Sequence, residues 1–155
     1  MAVQTYFASG AQNPAVQGQA PIPDEQVGGH LHLTLSRQLV ANGDSATSTI
    51  TFCKVPSSAR IERGSRIDAD AIAGNTSFSL GDANYPTGLM NAVDIHVGGQ
   101  FNPAGITNAN MDQALWQLLG YAADPLSEIV LIGTLGAALT AGGSIALTLK
   151  YSLAI

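Results

Sequence analysis

Paired histidines and carboxylates are the residues in this sequence with the spacing for chemistry. His30 and His32 stand two apart. On an extended strand that spacing puts both imidazoles on one face, a workable pair of metal ligands. Asp94 and His96 repeat the spacing. A metal site would need the two segments to meet, and nothing in the spacing joins them; the plainer role is polar-face or interface histidines. Asp68 and Asp70 form a carboxylate pair by the same rule. A glycosidase needs such a pair in a cleft lined by aromatics. The chain has one Trp, four Tyr and four Phe, and Trp116 falls inside a helical pattern, so packing explains these residues better. Cys53 is the single cysteine, which excludes an intrachain disulfide and a cysteine zinc finger. It lies within a strand pattern and reads as a small buried apolar residue. No Gly-x-Ser-x-Gly elbow occurs. Gly98-Gly99 and Gly142-Gly143 lack the Lys-Ser/Thr that follows a phosphate loop. No catalytic residue, metal or cofactor is expected, and no enzyme.

Composition points the same way. Charged residues make up 11% and hydrophobic residues 46%, whereas a typical soluble domain carries roughly a quarter charged residues. A subunit that hides its surface in partners needs less charge than a lone monomer. The net charge of −5 and pI near 4.8 argue against nucleic-acid binding, which requires a basic footprint. Arg60, Arg63 and Arg66 cluster, but Glu62, Asp68 and Asp70 sit among them. The N-terminus lacks the basic and apolar regions of a signal peptide, and no stretch is apolar enough to span a membrane. Synthesis in a cytoplasm, with no membrane partner, is the simplest expectation. Asn75-Thr76-Ser77 then reads as a turn.

The elements that would position these residues fall into two parts, an arm over 1–28 and a β domain over 29–155. The arm is rich in Gln, Ala, Gly and Pro, and its first charge is Asp24. Gly10, Asn13, Pro14, Pro21 and Pro23 forbid a long helix. Val3, Tyr6, Phe7, Val16 and Ile22 give it apolar anchors, so it is expected to lie extended on a neighbouring subunit.

From His30 to Ser36 the residues alternate strictly. Leu31, Leu33 and Leu35 take one face; His30, His32, Thr34 and Ser36 take the other. This is a half-buried strand. Ala41–Asp44 signals a turn. Thr47–Val55 is β-rich, with Ile50 and Phe52 on one face. Arg60–Ile72 carries Ile61 and Ile67, with Gly64 a candidate bulge. Phe78 and Leu80 share a face. Residues 82–110 read as irregular, with a short strand where Val93, Ile95 and Val97 alternate. Met111–Leu119 is the expected helix, capped by Asn108 or Asn110 and stopped by Gly120. Glu128–Thr134 reads as a strand buried on both faces. In Ser144–Leu153, residues Ile145, Leu147, Leu149, Tyr151 and Leu153 point one way. Short, turn-rich strands and one short helix predict a mainly β fold, an antiparallel β-sandwich or jelly roll.

Three stretches carry a resemblance: Cys53-Lys-Val-Pro-Ser-Ser-Ala-Arg-Ile61, Leu115-Trp-Gln-Leu-Leu-Gly-Tyr-Ala-Ala-Asp-Pro125, and Gly142-Gly-Ser-Ile-Ala-Leu-Thr-Leu-Lys-Tyr151. Their layout resembles small structural proteins encoded beside the major capsid protein of tailed bacteriophages. Some of those are capsid decoration, or cement, proteins with β-sandwich or jelly-roll folds. The resemblance spans residues 29–155 and implies a virion protein; the expected place is the capsid surface and the expected partner the major capsid protein. Low charge and high apolar content predict a homo-oligomer, and the resemblance implies a trimer. The alternative is a carbohydrate-binding or adhesin-like β module of a fibre or tail. That reading would rest on Tyr85 and Phe101 as stacking aromatics.

Overall fold

The computed structural model describes residues 31–74, 77–103, 110 and 112–153. The expected arm and its anchors lie outside the described residues, as do His30, Asn108 and Met111. Nine strands and one helix are present among the described residues: β1 (Leu31–Val40), β2 (Thr49–Pro56), β3 (Ala59–Ile61), β4 (Arg66–Ala69), β5 (Phe78–Gly81), β6 (Met90–Val93), β7 (Gly99–Phe101), α1 (Leu115–Leu119), β8 (Glu128–Leu135) and β9 (Gly143–Leu153).

All strand pairings are antiparallel. One sheet runs β1-β9-β4-β7, with β3 also on β9; the other runs β2-β8-β5-β6. β3 and β4 lie along the same edge of β9, facing Leu153–Tyr151 and Thr148–Ile145. They act as one strand interrupted by an outpocketing at Glu62–Ser65. Gly64, with φ +87, sits in that outpocketing, as the bulge expectation had it. The Ser65 hydroxyl replaces the missing rungs. It accepts the Lys150 N–H at 2.9 Å and donates to the Glu62 carbonyl at 2.9 Å.

With β3 and β4 taken together, the first strand pairs with the last, the second with the last but one, the third with β7, and β5 with β6. A long antiparallel hairpin rolled into two sheets has this order, which is that of a jelly roll. The expectation of a mainly antiparallel β-sandwich with one short helix holds.

The core lies between the sheets. From β9 come Ile145, Leu147 and Leu149, fully buried, and Tyr151. Opposite them sit Phe78, Leu80, Leu131 and Leu135. Burying one such side chain stabilises by about 1.5–3 kcal/mol. In β2 the register shifts between Thr51 and Cys53. This bulge lets Ile50, Phe52 and Val55 all reach the core although their spacing changes parity. In β8, Ile129, Leu131, Gly133 and Leu135 are buried. Val130 and Ile132 on the other face are only half-buried, so burial on both faces, as expected from the apolar run, is incomplete.

Two sequence expectations shift. The alternation at Val93–Val97 is not a strand: β6 ends at Val93. The Asp94 carboxylate accepts the His96 N–H at 2.9 Å, and Gly98, φ +72, closes a turn onto Ile95. Only Ile95 of the later pair is buried; Val97 is exposed. The helix also starts later than expected, at Leu115. Ala114 is extended, with φ −70 and ψ 157, because it bridges to Arg60. The Gln117 side chain, rather than an asparagine, satisfies the Ala114 N–H at 2.9 Å. Gly120 ends the helix in the left-handed region, as its sequence position predicts.

Candidate functional site

Among the described residues, those singled out for chemistry are dispersed and mostly committed. His32 points toward the sandwich interior and stacks on Tyr151, ring centroids 5.0 Å apart and 11° from parallel. Asp94 and His96 are exposed in their own turn. Among the described residues no three metal-ligating side chains form a group able to hold a metal ion. Asp68 accepts from the Arg66 guanidinium at 2.8 Å. Asp70 accepts from Ser144, at 2.7 Å from its hydroxyl and 2.8 Å from its N–H. Those hydrogen bonds, with Arg37 nearby, hold the Asp70 carboxyl below its ordinary range. The two carboxylates thus hold different partners.

Cys53 is partly buried, and burial pushes its thiol up to about 11. A thiol in that state is a poor nucleophile at neutral pH. Trp116 packs against the core. Phe101 does so as well, which removes it as a stacking platform. Tyr85 is 37% exposed and meets Tyr121 edge-on, centroids 4.6 Å apart.

A buried carboxylate that sequence reading missed holds this corner together. Asp82 accepts the N–H groups of Asn84, at 3.2 Å, and Tyr85, at 2.6 Å, and the Tyr121 hydroxyl. Asn84 donates to the same hydroxyl at 2.8 Å. The bond to Asp82 raises the Tyr121 phenol above its ordinary range. A Cβ on Gly81 would lie 1.9 Å from the Tyr85 carbonyl oxygen, so the turn closes only on glycine. The cluster clamps the loop after β5 to the end of α1. It is satisfied internally and offers nothing to a substrate. The run Asp82-Ala-Asn-Tyr-Pro86 at a strand end is the one sequence signal that could have pointed to it.

The outstanding surface is β1. Its register pairs Thr34 with Leu149, Ser36 with Leu147 and Gln38 with Ile145. Opposed residues in an antiparallel pair share a face, so the polar residues of β1 point inward. The leucines point outward: Leu31 is 65% exposed, Leu33 64%, Leu35 72% and Leu39 80%. The strand is built with its polar face toward its own domain and its apolar face toward solvent. Beside the leucines, the outward residues of β9 are Ala146, Thr148, Lys150 and Ser152. This row of leucines can do no bond chemistry; it can bind another apolar surface. The described residues contain no helix long and apolar enough to cross a membrane.

No known protein family matches the sequence, and no curated protein matches it. In fold the chain is similar to a chain of the cyanophage Pam1 capsid asymmetric unit, with a TM-score of 0.59 and 21% identity over 92% of this chain and 99% of that one. It is also similar to a chain of the capsid of Ralstonia phage GP4, with a TM-score of 0.61 and 17% identity over 88% of this chain and 92% of that one. The likeness covers nearly the whole length of both phage chains and is one of fold.

Proposed function

We propose that this chain is a non-enzymatic structural protein of a phage virion, a decoration or cement protein that binds the shell of the major capsid protein. The observation that carries the proposal is the outward leucine row of β1. A strand that turns its leucines away from its own core is built for a partner's surface. The fold, shared with chains of two phage capsids, supports a place in the shell. Low charge supports a binding role, and among the described residues no three metal-ligating side chains form a group able to hold a metal ion.

In this reading the protein sits on the capsid surface, after synthesis in the host cytoplasm. It binds the major capsid protein and other copies of itself, a trimer being the state the resemblance implies. It takes no nucleic acid, membrane or cofactor as partner. Residues 2–28 serve as an arm on a neighbouring subunit, with Val3, Tyr6, Phe7, Val16 and Ile22 as anchors. Sugar binding has less support, because Phe101 is packed inward and Tyr85 is engaged with Tyr121.

The test is sedimentation of the purified chain with separated capsids and tails. Co-sedimentation with capsids is the expected result. Binding to tails alone would favour the fibre or tail module, and binding to neither would remove the virion reading.

A further inference from the structure

We propose that β1 is a homotypic docking edge, through which two copies of this chain pair antiparallel about a twofold axis at Leu35. Among the described residues the sheet ends at β1. An edge strand presents backbone donors and acceptors to any strand that can lie alongside it, and natural proteins blunt such edges with proline, bulges, charge or short length. Of these β1 has only the charge of Arg37. It is 10 residues long, its register with β9 has no shift, it contains no proline, and Arg37 is its one charged residue. Its outward face is the leucine row.

The sequence of β1 is complementary to itself. With the axis at Leu35, Leu35 faces its own copy, Leu31 faces Leu39, and Leu33 faces the stem of Arg37. On the other face Thr34 meets Ser36. Opposed side chains share a face, so leucine packs on leucine and hydroxyl meets hydroxyl, both favourable cross-strand pairs. A twofold axis at Leu33 would instead leave Leu39 outside the paired segment. The axis at Leu35 uses the whole strand and joins the two sheets into one continuous sheet. Such a contact closes on itself, as the commonest symmetric dimers do. The inference rests on β1 alone and stands whether or not the virion reading does. The contact can join two free chains or two larger rings.

Site-specific crosslinking tests it. In a full-length Cys53→Ala background, Leu35→Cys should yield a covalent dimer with a short bis-maleimide, because the two sulfurs face each other across the axis. Leu31→Cys alone should yield none, since the two copies of that residue would stand about 27 Å apart. Mixing Leu31→Cys with Leu39→Cys should restore the dimer. Light scattering should give the wild type twice the 15.9 kDa chain mass or an even multiple of it. The Leu33→Lys/Leu35→Lys double variant should fall to half that mass with its thermal unfolding curve retained, because both side chains are exposed. A monomeric wild type with no Leu35→Cys crosslink would overturn the proposal. So would equal crosslinking at Leu31 and Leu35, or an oligomer unchanged in the double variant.

Discussion

Leu35 and Leu147 look interchangeable in sequence, each the apolar member of a strict alternation, yet the fold treats them oppositely. Leu147 is fully buried between Ile67 and the second sheet, while Leu35 is 72% exposed. Truncating a fully buried leucine to alanine costs about 2–5 kcal/mol, the transfer loss plus the cavity. For Leu35 most of the side chain is already in water, and scaling a buried leucine's roughly 1.5–3 kcal/mol by its covered fraction leaves under about 1 kcal/mol. A domain of roughly 120 residues loses about 4 °C in melting temperature per kcal/mol. Leu147→Ala should therefore lower the melting temperature by about 8–20 °C, and Leu35→Ala by less than about 4 °C. The assay is thermal unfolding followed by circular dichroism at submicromolar protein, where association contributes least to apparent stability. Leu147→Asp should fail to fold cooperatively, since it buries an unpaired carboxylate. If Leu35→Ala costs as much as Leu147→Ala, the leucine face of β1 belongs to the core and the outward assignment is wrong. A soluble, cooperatively folded Leu147→Asp would count against β9 as the central core strand.

Four further outcomes are expected. Deleting residues 2–28 should leave the melting temperature of the β domain nearly unchanged while weakening capsid binding; loss of folding on truncation would make the segment an internal part of the domain. Cys53 should react slowly with iodoacetamide at neutral pH, its rate climbing until the pH approaches about 11, and a plateau near the ordinary thiol range would refute its burial. Because the folded thiol titrates above the unfolded one, its contribution to stability is fully present below pH 9.0 and is lost as pH rises toward 11, which urea titrations across that window should show. Asp82→Ala leaves two backbone N–H groups and the Tyr121 hydroxyl without their acceptor; unfolding should become easier by about 1–3 kcal/mol, and an unchanged urea midpoint would remove the clamp.

Period-two alternation reveals a strand wherever one face meets a core, and for β9 it also gave the correct face. For β1 it revealed the strand and concealed the orientation. Alternation records that two faces differ and says nothing about whether the apolar one meets its own domain or a partner. The choice became visible only through the register of Ser36 against Leu147. Val93–Val97 misled for a local reason, since the Asp94 side chain competes with the ladder for the His96 N–H. The late start of α1 came from a distant one, the bridge between Ala114 and Arg60, which no window of sequence contains. The bulge at Phe52 and Cys53 is hidden in the same way, because residues on both sides of it keep a plausible alternation. The histidine and aspartate pairs were legible as pairs. That His32 would stack on Tyr151 and Asp70 bind Ser144 depended on pairings across the fold, whereas Asp68 is taken up by its strand neighbour Arg66.

The most direct test of a capsid-binding role is a saturation curve on purified phage shells that lack this protein, comparing the wild type with Leu33→Lys/Leu35→Lys. Saturable co-sedimentation of the wild type, lost or strongly weakened in the folded double variant, is the predicted result. Wild-type protein that stays in the supernatant at every concentration would contradict it.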